Sequence, residues 1–214
     1  MKAIKFLAIA ILTSFAVEAS AQLTKDLTEW TRFEVSFDAQ RFKYKGEGVE
    51  ADGITPKGAS IAVMKGISLT NNLPIFLDLG GRLSWTHSKD SYDNGDEKYT
   101  FMNIAIPVEA AYKFAFASAP NVKIVPFFGP NFKFNFLARG KWEPTKGDDV
   151  KANLFKEENG DARIFQFGLN LGLGVNLRKF YVGYNFQPDL SSFEKDGDNK
   201  TKTINNYITV GVNF

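Results

Sequence analysis

The 214-residue sequence contains no cysteine and a single histidine, His87. Without cysteine the chain cannot form a disulfide, a thiolate metal site or a cysteine nucleophile. One histidine also excludes a multi-histidine zinc site. The chain also lacks an excess of either sign of charge, because it has 26 basic and 24 acidic residues. We therefore expect no cofactor, no metal and no nucleic acid partner.

Long hydrophobic runs are missing after residue 21, so no segment approaches the roughly 18 residues of a membrane-spanning helix. The N-terminus has Lys2 and Lys5, an apolar stretch from Phe6 to Val17, and an Ala19-Ser20-Ala21 sequence. A basic start, a short apolar core and a small-residue site are typical of a secretory signal peptide. A membrane anchor is the alternative, but the apolar core is too short for it. We predict a signal peptide over residues 1–21 and a single domain over residues 22–214.

Phenylalanine and glycine are abundant, with 21 and 18 residues, and apolar residues alternate with small or polar ones. The clearest example is residues 163–178. One phase reads Phe165, Phe167, Leu169, Leu171, Leu173, Val175 and Leu177, and the other is mostly Gly, Asn and Gln. Successive side chains of a strand point to opposite faces, so this period of two predicts a strand with one bulky apolar face.

The same alternation predicts eight strands, over residues 33–39, 59–69, 75–85, 102–113, 124–136, 163–178, 180–187 and 204–214. Lys65 falls in the apolar phase of the second strand, which indicates a bulge, a wrong register or a rim position. Pro107, Pro126 and Pro130 cannot donate to a ladder, so bulges or strand ends are expected there.

The predicted connections alternate in length. Residues 45–57, 86–98, 138–161 and 191–202 are long, and residues 70–73, 118–121 and 178–179 are short. This rhythm predicts an all-β fold, an eight-stranded antiparallel up-and-down barrel. The long connections exceed usual loop lengths, which is consistent with strands that extend past a membrane.

Such a barrel can be soluble or membrane-spanning. A secreted lipocalin-like binding barrel would turn its bulky phase inward, whereas a transmembrane barrel turns that phase to lipid. The second arrangement is favoured, because rows of Phe and Leu would overfill an eight-stranded interior. Aromatic residues at predicted strand ends suit the two membrane interfaces; they are Trp30, Trp85, Tyr99, Tyr112, Trp142, Tyr181 and Tyr184.

The last strand reads Ile208-Thr209-Val210-Gly211-Val212-Asn213-Phe214. Together with the signal peptide and the loop rhythm, it resembles the outer membrane protein beta-barrel domain family, often labelled the porin family, and the architecture of the OmpX and OmpA barrels of Gram-negative bacteria. The resemblance implies that Ile208, Val210, Val212 and Phe214 form a signal for the barrel-assembly machinery. It also implies location in the outer membrane among lipids and lipopolysaccharide. The termini would then be periplasmic and the four long loops extracellular, available for a ligand. Asn206 departs from the alternation.

No motif predicts catalysis, and we expect a non-enzymatic protein. His87 and Ser88 are adjacent, so on a strand they point to opposite faces and are badly placed for a nucleophile–base pair. Some small barrels modify lipid A, and a lipid A-modifying enzyme is the alternative function. Residues 90–97 and 196–198 are acidic but lack the EF-hand pattern, so solvated loops are expected rather than calcium sites.

The predicted inward phase carries a set of charged residues: Glu34, Asp38, Asp78, Arg82, Glu109 and Lys133. Lone buried charges are costly, so we expect Arg82 and Lys133 to neutralise some of the acids in a polar network of the lumen. The role of the protein is then structural, an interaction through its loops, or passage of small solutes through a narrow pore.

Overall fold

The computed structural model describes residues 23–46, 49–156, 162–194 and 200–214, and the predicted signal peptide lies outside them. These ranges contain no helix that is long and apolar enough to cross a membrane. Within them the chain forms twelve strands: β1 Leu23–Lys25, β2 Trp30–Gly46, β3 Val49–Asp52, β4 Lys57–Ser68, β5 Ile75–Tyr92, β6 Gly95–Tyr112, β7 Phe114–Phe116, β8 Ala119–Pro144, β9 Val150–Asn153, β10 Phe165–Leu177, β11 Phe180–Pro188 and β12 Lys200–Asn213.

Eight of these strands form a closed antiparallel ring in the order β2, β4, β5, β6, β8, β10, β11 and β12. The last strand returns to the first, since β12 pairs with β2 from Lys200–Lys45 to Asn213–Arg32. Closure leaves no long sheet edge unpaired along the barrel wall. The predicted eight-stranded up-and-down barrel is confirmed.

Alternation along each strand separates two surfaces. In β2, Phe33, Val35 and Phe37 are 43–52% exposed, whereas Glu34 and Asp38 are each 2% exposed. The bulky phase therefore points outward and the polar phase fills the interior. A barrel in water would show the reverse pattern, so the soluble lipocalin-like alternative is wrong.

Lys65 occupies a rim position. The ladders of β4 with β2 and with β5 run without a register shift, so neither a bulge nor a register error is present. Lys65 faces outward close to the short turn after β4, and its Nζ lies 3.7 Å from a carboxylate oxygen of Glu29.

The expectation of bulges or strand ends at the three prolines is wrong. Pro107 lies inside β6, and Pro126 and Pro130 pair with β10 in an uninterrupted register. The register shift between β6 and β8 occurs instead between Met102 and Asn103. A residue in an antiparallel strand directs its N–H to one neighbour only, so a proline interrupts one ladder and leaves the other intact.

Three of the four long connections continue the strands beyond the barrel. β5 and β6 remain paired up to Tyr92–Gly95, β3 folds back on β2, and β9 folds back on the extended β8. β6 and β8 also stay paired here, so β5, β6, β8 and β9 form a four-stranded sheet at the long-loop end. We call it the outer sheet (residues 86–92, 95–101, 138–144 and 150–153).

Candidate functional site

The interior of the barrel holds all six charged residues that the alternation predicts there. Their exposed fractions range from 0% to 6%, for Glu34, Asp38, Asp78, Arg82, Glu109 and Lys133. Burial of this many ionisable groups demands partners, because an unpaired charge in a dry interior is strongly unfavourable.

Two arginines share one glutamate at the centre of the lumen. Arg32 Nε lies 2.5 Å from Glu34 Oε1, and Arg82 Nη2 lies 2.6 Å from Glu34 Oε2. Arg32 also reaches Asp78, with Nη2 3.0 Å from Oδ2. The guanidinium of Arg32 stacks on the ring of Tyr181, 3.9 Å from its centroid. The network therefore connects β2 with β5, which are not neighbours in the ring.

A second ion pair lies nearer the long-loop end. Lys133 Nζ donates to Asp189, and both side chains are fully buried. Lys133 also approaches Thr203 Oγ1 at 3.3 Å. Gln187 Nε2 donates to Asp189 Oδ1 at 3.4 Å. This pair joins β8 to the residue that follows β11, across the intervening strand β10.

The two remaining acids have neutral donors. Ser60 Oγ donates to Asp38 Oδ1 at 2.9 Å, and Asn170 Nδ2 donates to Glu109 Oε1 at 2.6 Å. Both cations expected to neutralise acids form ion pairs. Arg82 pairs with Glu34, which is in the predicted set, and Lys133 pairs with Asp189, which is not.

The sequence reasoning missed Arg32 and Asp189. Both lie just past predicted strand ends, since the alternation predicts the first strand from Phe33 and the seventh up to Gln187. The signal was present nonetheless. Arg32 has the same parity as Glu34, and Asp189 has the same parity as Gln187, so extending each strand by one or two residues places both in the inward phase.

Two apolar clusters lie inside the barrel, one on either side of the charges. The short-turn plug consists of Trp30, Phe76, Ala111, Val125 and Phe127. The long-loop plug consists of Phe42, Phe101, Ala138, Ala162 and Phe193. Between the plugs, a cavity of 10 Å³ lies beside the arginine network, which is room for about one water molecule.

Glycines on the inner wall make room for these bulky rings. A Cβ on Gly66 would lie 2.1 Å from the indole of Trp30, and a Cβ on Gly174 would lie 2.2 Å from the ring of Tyr181. Small residues in the inward phase therefore allow large aromatic side chains from neighbouring strands to enter a narrow barrel.

The predicted aromatic girdle is only partly observed. Trp85 and Tyr184 are each 49% exposed on the outer surface, but Trp30 and Tyr181 are buried in the lumen at 5% and 3% exposure. Parity explains the error, because Trp30 belongs to the phase of Arg32 and not to that of Phe33. Proximity to a strand end was a poorer guide than phase.

The segment before β2 covers the short-turn end. β1 pairs with β7, and Asp26 forms ion pairs with Lys113, at 3.3 Å, and with Lys123. Burial opposes ionisation of Asp26, but hydrogen bonds from Lys123 and Thr28 and the charge of Lys113 outweigh it, so the pKa of this carboxyl lies well below its usual value. Lys113 Nζ sits over the rings of Trp30 and Phe76, at 4.9 and 4.6 Å.

The candidate catalytic and metal-binding residues do not assemble into a site. His87 faces outward and its Nδ1 lies 3.0 Å from Thr100 Oγ1, whereas Ser88 points to the opposite face. Among the described residues, no three acidic or histidine side chains group as metal ligands. The acidic stretch at residues 196–198 lies outside the described ranges.

The C-terminal strand carries its apolar residues on the outer surface. Ile208, Val210 and Phe214 are 59%, 57% and 80% exposed, and Val212 is half-buried. The backbone N–H of Phe214 donates to Thr31 O at 2.8 Å, which fixes the end of the chain against β2.

A closed antiparallel barrel with an apolar exterior and a polar, ion-paired interior is a transmembrane β-barrel, because only closed backbone pairing is tolerated in lipid. The chain belongs to the outer membrane protein beta-barrel domain family, whose model matches residues 7–214. It is therefore an outer-membrane protein.

Several solved structures of outer-membrane proteins are similar to this chain at low sequence identity. The attachment invasion locus protein Ail of Yersinia pestis, solved with the heparin analogue sucrose octasulfate, is 14% identical over 86% of this chain and 99% of its own, with a TM-score of 0.42. Neisserial surface protein A is 17% identical over 85% and 97%, with a TM-score of 0.40. OprG of Pseudomonas aeruginosa is 11% identical over 87% and 95%, with a TM-score of 0.40. No curated protein is significantly similar to this chain in sequence.

Proposed function

We propose that this protein is a non-enzymatic outer-membrane barrel with a sealed lumen, and that it acts through its outer sheet and the adjoining loops. The observation that supports a sealed lumen is the pair of apolar plugs on either side of an ion-paired interior. A hydrated ion would have to break buried ion pairs and displace packed aromatic rings, and both processes are costly.

The lumen network has a structural role in this proposal. Backbone ladders join each strand only to its two neighbours. The pairs Arg82–Glu34 and Lys133–Asp189 each connect two strands that are separated by one intervening strand. They hold the barrel cross-section in one shape and neutralise each other, as buried charges must.

Purified protein in a planar lipid bilayer should show no discrete channel openings, because the two apolar plugs and the buried ion pairs of the described residues interrupt a polar path through the lumen. The measurement is single-channel current under an applied voltage, with a known general porin as the positive control. Large and stable conductance steps would refute the sealed lumen and favour the pore function.

The proposal also places both termini in the periplasm and the long-loop end outside the cell. Short turns at the terminal end and longer, strand-forming loops at the other are the arrangement of bacterial outer-membrane barrels. The outward rows of Ile208, Val210 and Phe214 are free on the barrel surface, which suits a C-terminal strand that the barrel-assembly machinery reads before the ring closes.

The absence of cysteine allows a direct test of this orientation. Lys146 lies at the exposed tip of the β8–β9 hairpin, and Lys179 lies in the exposed turn between β10 and β11. With a bulky polyethylene glycol maleimide on intact cells, Lys146→Cys should be labelled and Lys179→Cys should not. Both should be labelled after the outer membrane is broken, and the reverse pattern would contradict the proposed topology.

A further inference from the structure

Four lysines lie side by side across the outer sheet. Lys89 pairs with Lys98, Lys98 pairs with Lys141, and Lys141 pairs with Lys151, each in direct cross-strand register. The row crosses all four strands of the outer sheet. Like charges placed directly opposite each other destabilise a sheet, so such a row works against the stability of the hairpins.

Acidic residues neutralise this row on one side only. Towards the hairpin tips, Asp96 lies 2.7 Å from Lys89, and Glu143 binds both Lys98 and Lys141. Hydrogen bonds from these two lysines hold the pKa of Glu143 at about 2.

Towards the membrane the positive charge is not neutralised. The next row down pairs His87 with Thr100, Thr100 with Arg139, and Arg139 with Asn153. Arg139 and Lys151 have no acidic partner among the described residues, and both are exposed. This second row provides further hydrogen-bond donors beside the lysine row, and it contains no acidic residue.

The two rows face away from the barrel axis. The opposite face of the sheet carries Tyr99, which packs on the long-loop plug together with Leu154, the residue after β9. A cleft of 520 Å³ lies on the outward side, lined by Lys98, Thr100, Arg139, Lys141, Lys151 and Asn153 among others. We call this side the basic face.

The basic face begins directly above the lipid surface of the barrel. In β5, Trp85, His87 and Lys89 share the outward phase, and Trp85 is 49% exposed. Tryptophan on the outside of a barrel marks the level of the lipid headgroups. At a rise of roughly 3.3 Å per residue and a strand tilt of roughly 40°, the lysine row lies about 10 Å further out along the barrel axis.

We propose that the basic face binds the phosphate groups of the glycolipid in the outer leaflet, and so anchors the outer sheet on the membrane surface. The inference rests on the proposed function, which puts this end of the barrel outside the cell. A membrane ligand is favoured over a soluble polyanion because the basic face continues the lipid-facing surface and points sideways, not outward from the cell. Phosphate supplies the charge that the lysine row lacks on its membrane side.

Binding of fluorescently labelled, phosphorylated lipid A to the full-length protein in neutral detergent micelles tests this inference. The probe should bind the native protein at least tenfold more tightly than the same lipid A without phosphates. The triple variant Lys98→Gln, Arg139→Gln and Lys151→Gln should lose about 100-fold in affinity, at about fivefold for each charge near an anionic surface. Added salt should weaken native binding much more than that of the variant.

The matched control is Lys65→Gln, Lys146→Gln and Lys179→Gln, which removes the same charge from the short-turn rim and a hairpin tip. Its affinity should stay within twofold of the native value. Slower migration after heating on a detergent gel establishes that each variant is folded. If the site triple does not fold, Lys151→Gln alone should still lose about fivefold.

Equal binding of the two lipid A forms, or an unaffected site triple, would overturn the proposal. A parallel binding experiment uses heparin as a soluble polyanion. If the protein binds heparin but does not bind phosphorylated lipid A, the proposal of a membrane ligand is overturned. Failure of the glycolipid-binding proposal can be distinguished from failure of the proposed function. Maleimide labelling at position 146 and the current recordings report topology and pore closure without any glycolipid.

Discussion

Replacing Glu34 by glutamine should lower the free energy of unfolding by about 3–5 kcal/mol, the usual cost of removing one partner from a buried ion pair. Glu34 is 2% exposed and bonds two guanidinium groups at 2.5 and 2.6 Å. Glutamine keeps the shape of the side chain but removes the charge, and it turns an amide donor towards one arginine. Urea unfolding in lipid vesicles, followed by tryptophan fluorescence, measures the change.

Glu29→Gln is the matched control for this substitution. Glu29 forms an ion pair with Lys65 across 3.7 Å, and both side chains are 45% exposed. An exposed pair of this kind contributes about 0–1 kcal/mol, so Glu29→Gln should change stability by less than that. Equal effects of the two substitutions would show that the lumen network does not stabilise the barrel.

Introducing arginine at Leu171 should destabilise the barrel by about 2–4 kcal/mol, because a charge at the middle of a lipid-facing strand must leave water. Leu171 lies midway along β10, is 46% exposed, and pairs with Phe128 on one side and Phe186 on the other. The same urea unfolding experiment in lipid vesicles gives the value.

The matched control is the same substitution at a position closer to the membrane interface. Leu177→Arg is the same substitution in the same strand, beside the turn at residues 178–179, and Leu177 is 49% exposed. Near the interface an arginine can reach water, so the cost should fall to about 0–1 kcal/mol. Two equally small costs would mean that the outer surface of β10 does not face lipid.

The period of two made most of the fold predictable from the sequence. Side chains alternate across a strand whatever the strand pairs with, so the phase that holds Phe165 to Leu177 marks one surface before any partner is known. The same argument placed Glu34, Asp38, Asp78, Arg82, Glu109 and Lys133 inside. Loop lengths then gave the antiparallel order of the ring.

Errors arose where a prediction relied on something other than phase. Trp30 and Tyr181 lie near strand ends, which predicts an interfacial position, yet their parity places them in the lumen, where they are 5% and 3% exposed. Arg32 lies outside the predicted strand because β2 begins three residues before Phe33, at Trp30. The prolines were expected to break strands, but each interrupts one ladder and leaves the other.

The sequence by itself determined which residues face lipid and which face the lumen, because that property follows from the local geometry of a single extended strand. Only the tertiary structure decided which inward residues meet, as in the pairing of Lys133 with Asp189 and of Glu34 with two arginines. It also decided that Lys89, Lys98, Lys141 and Lys151 share one row. Such meetings depend on the relative register of several strands and on closure of the ring, and neither is encoded in the alternation of any one strand.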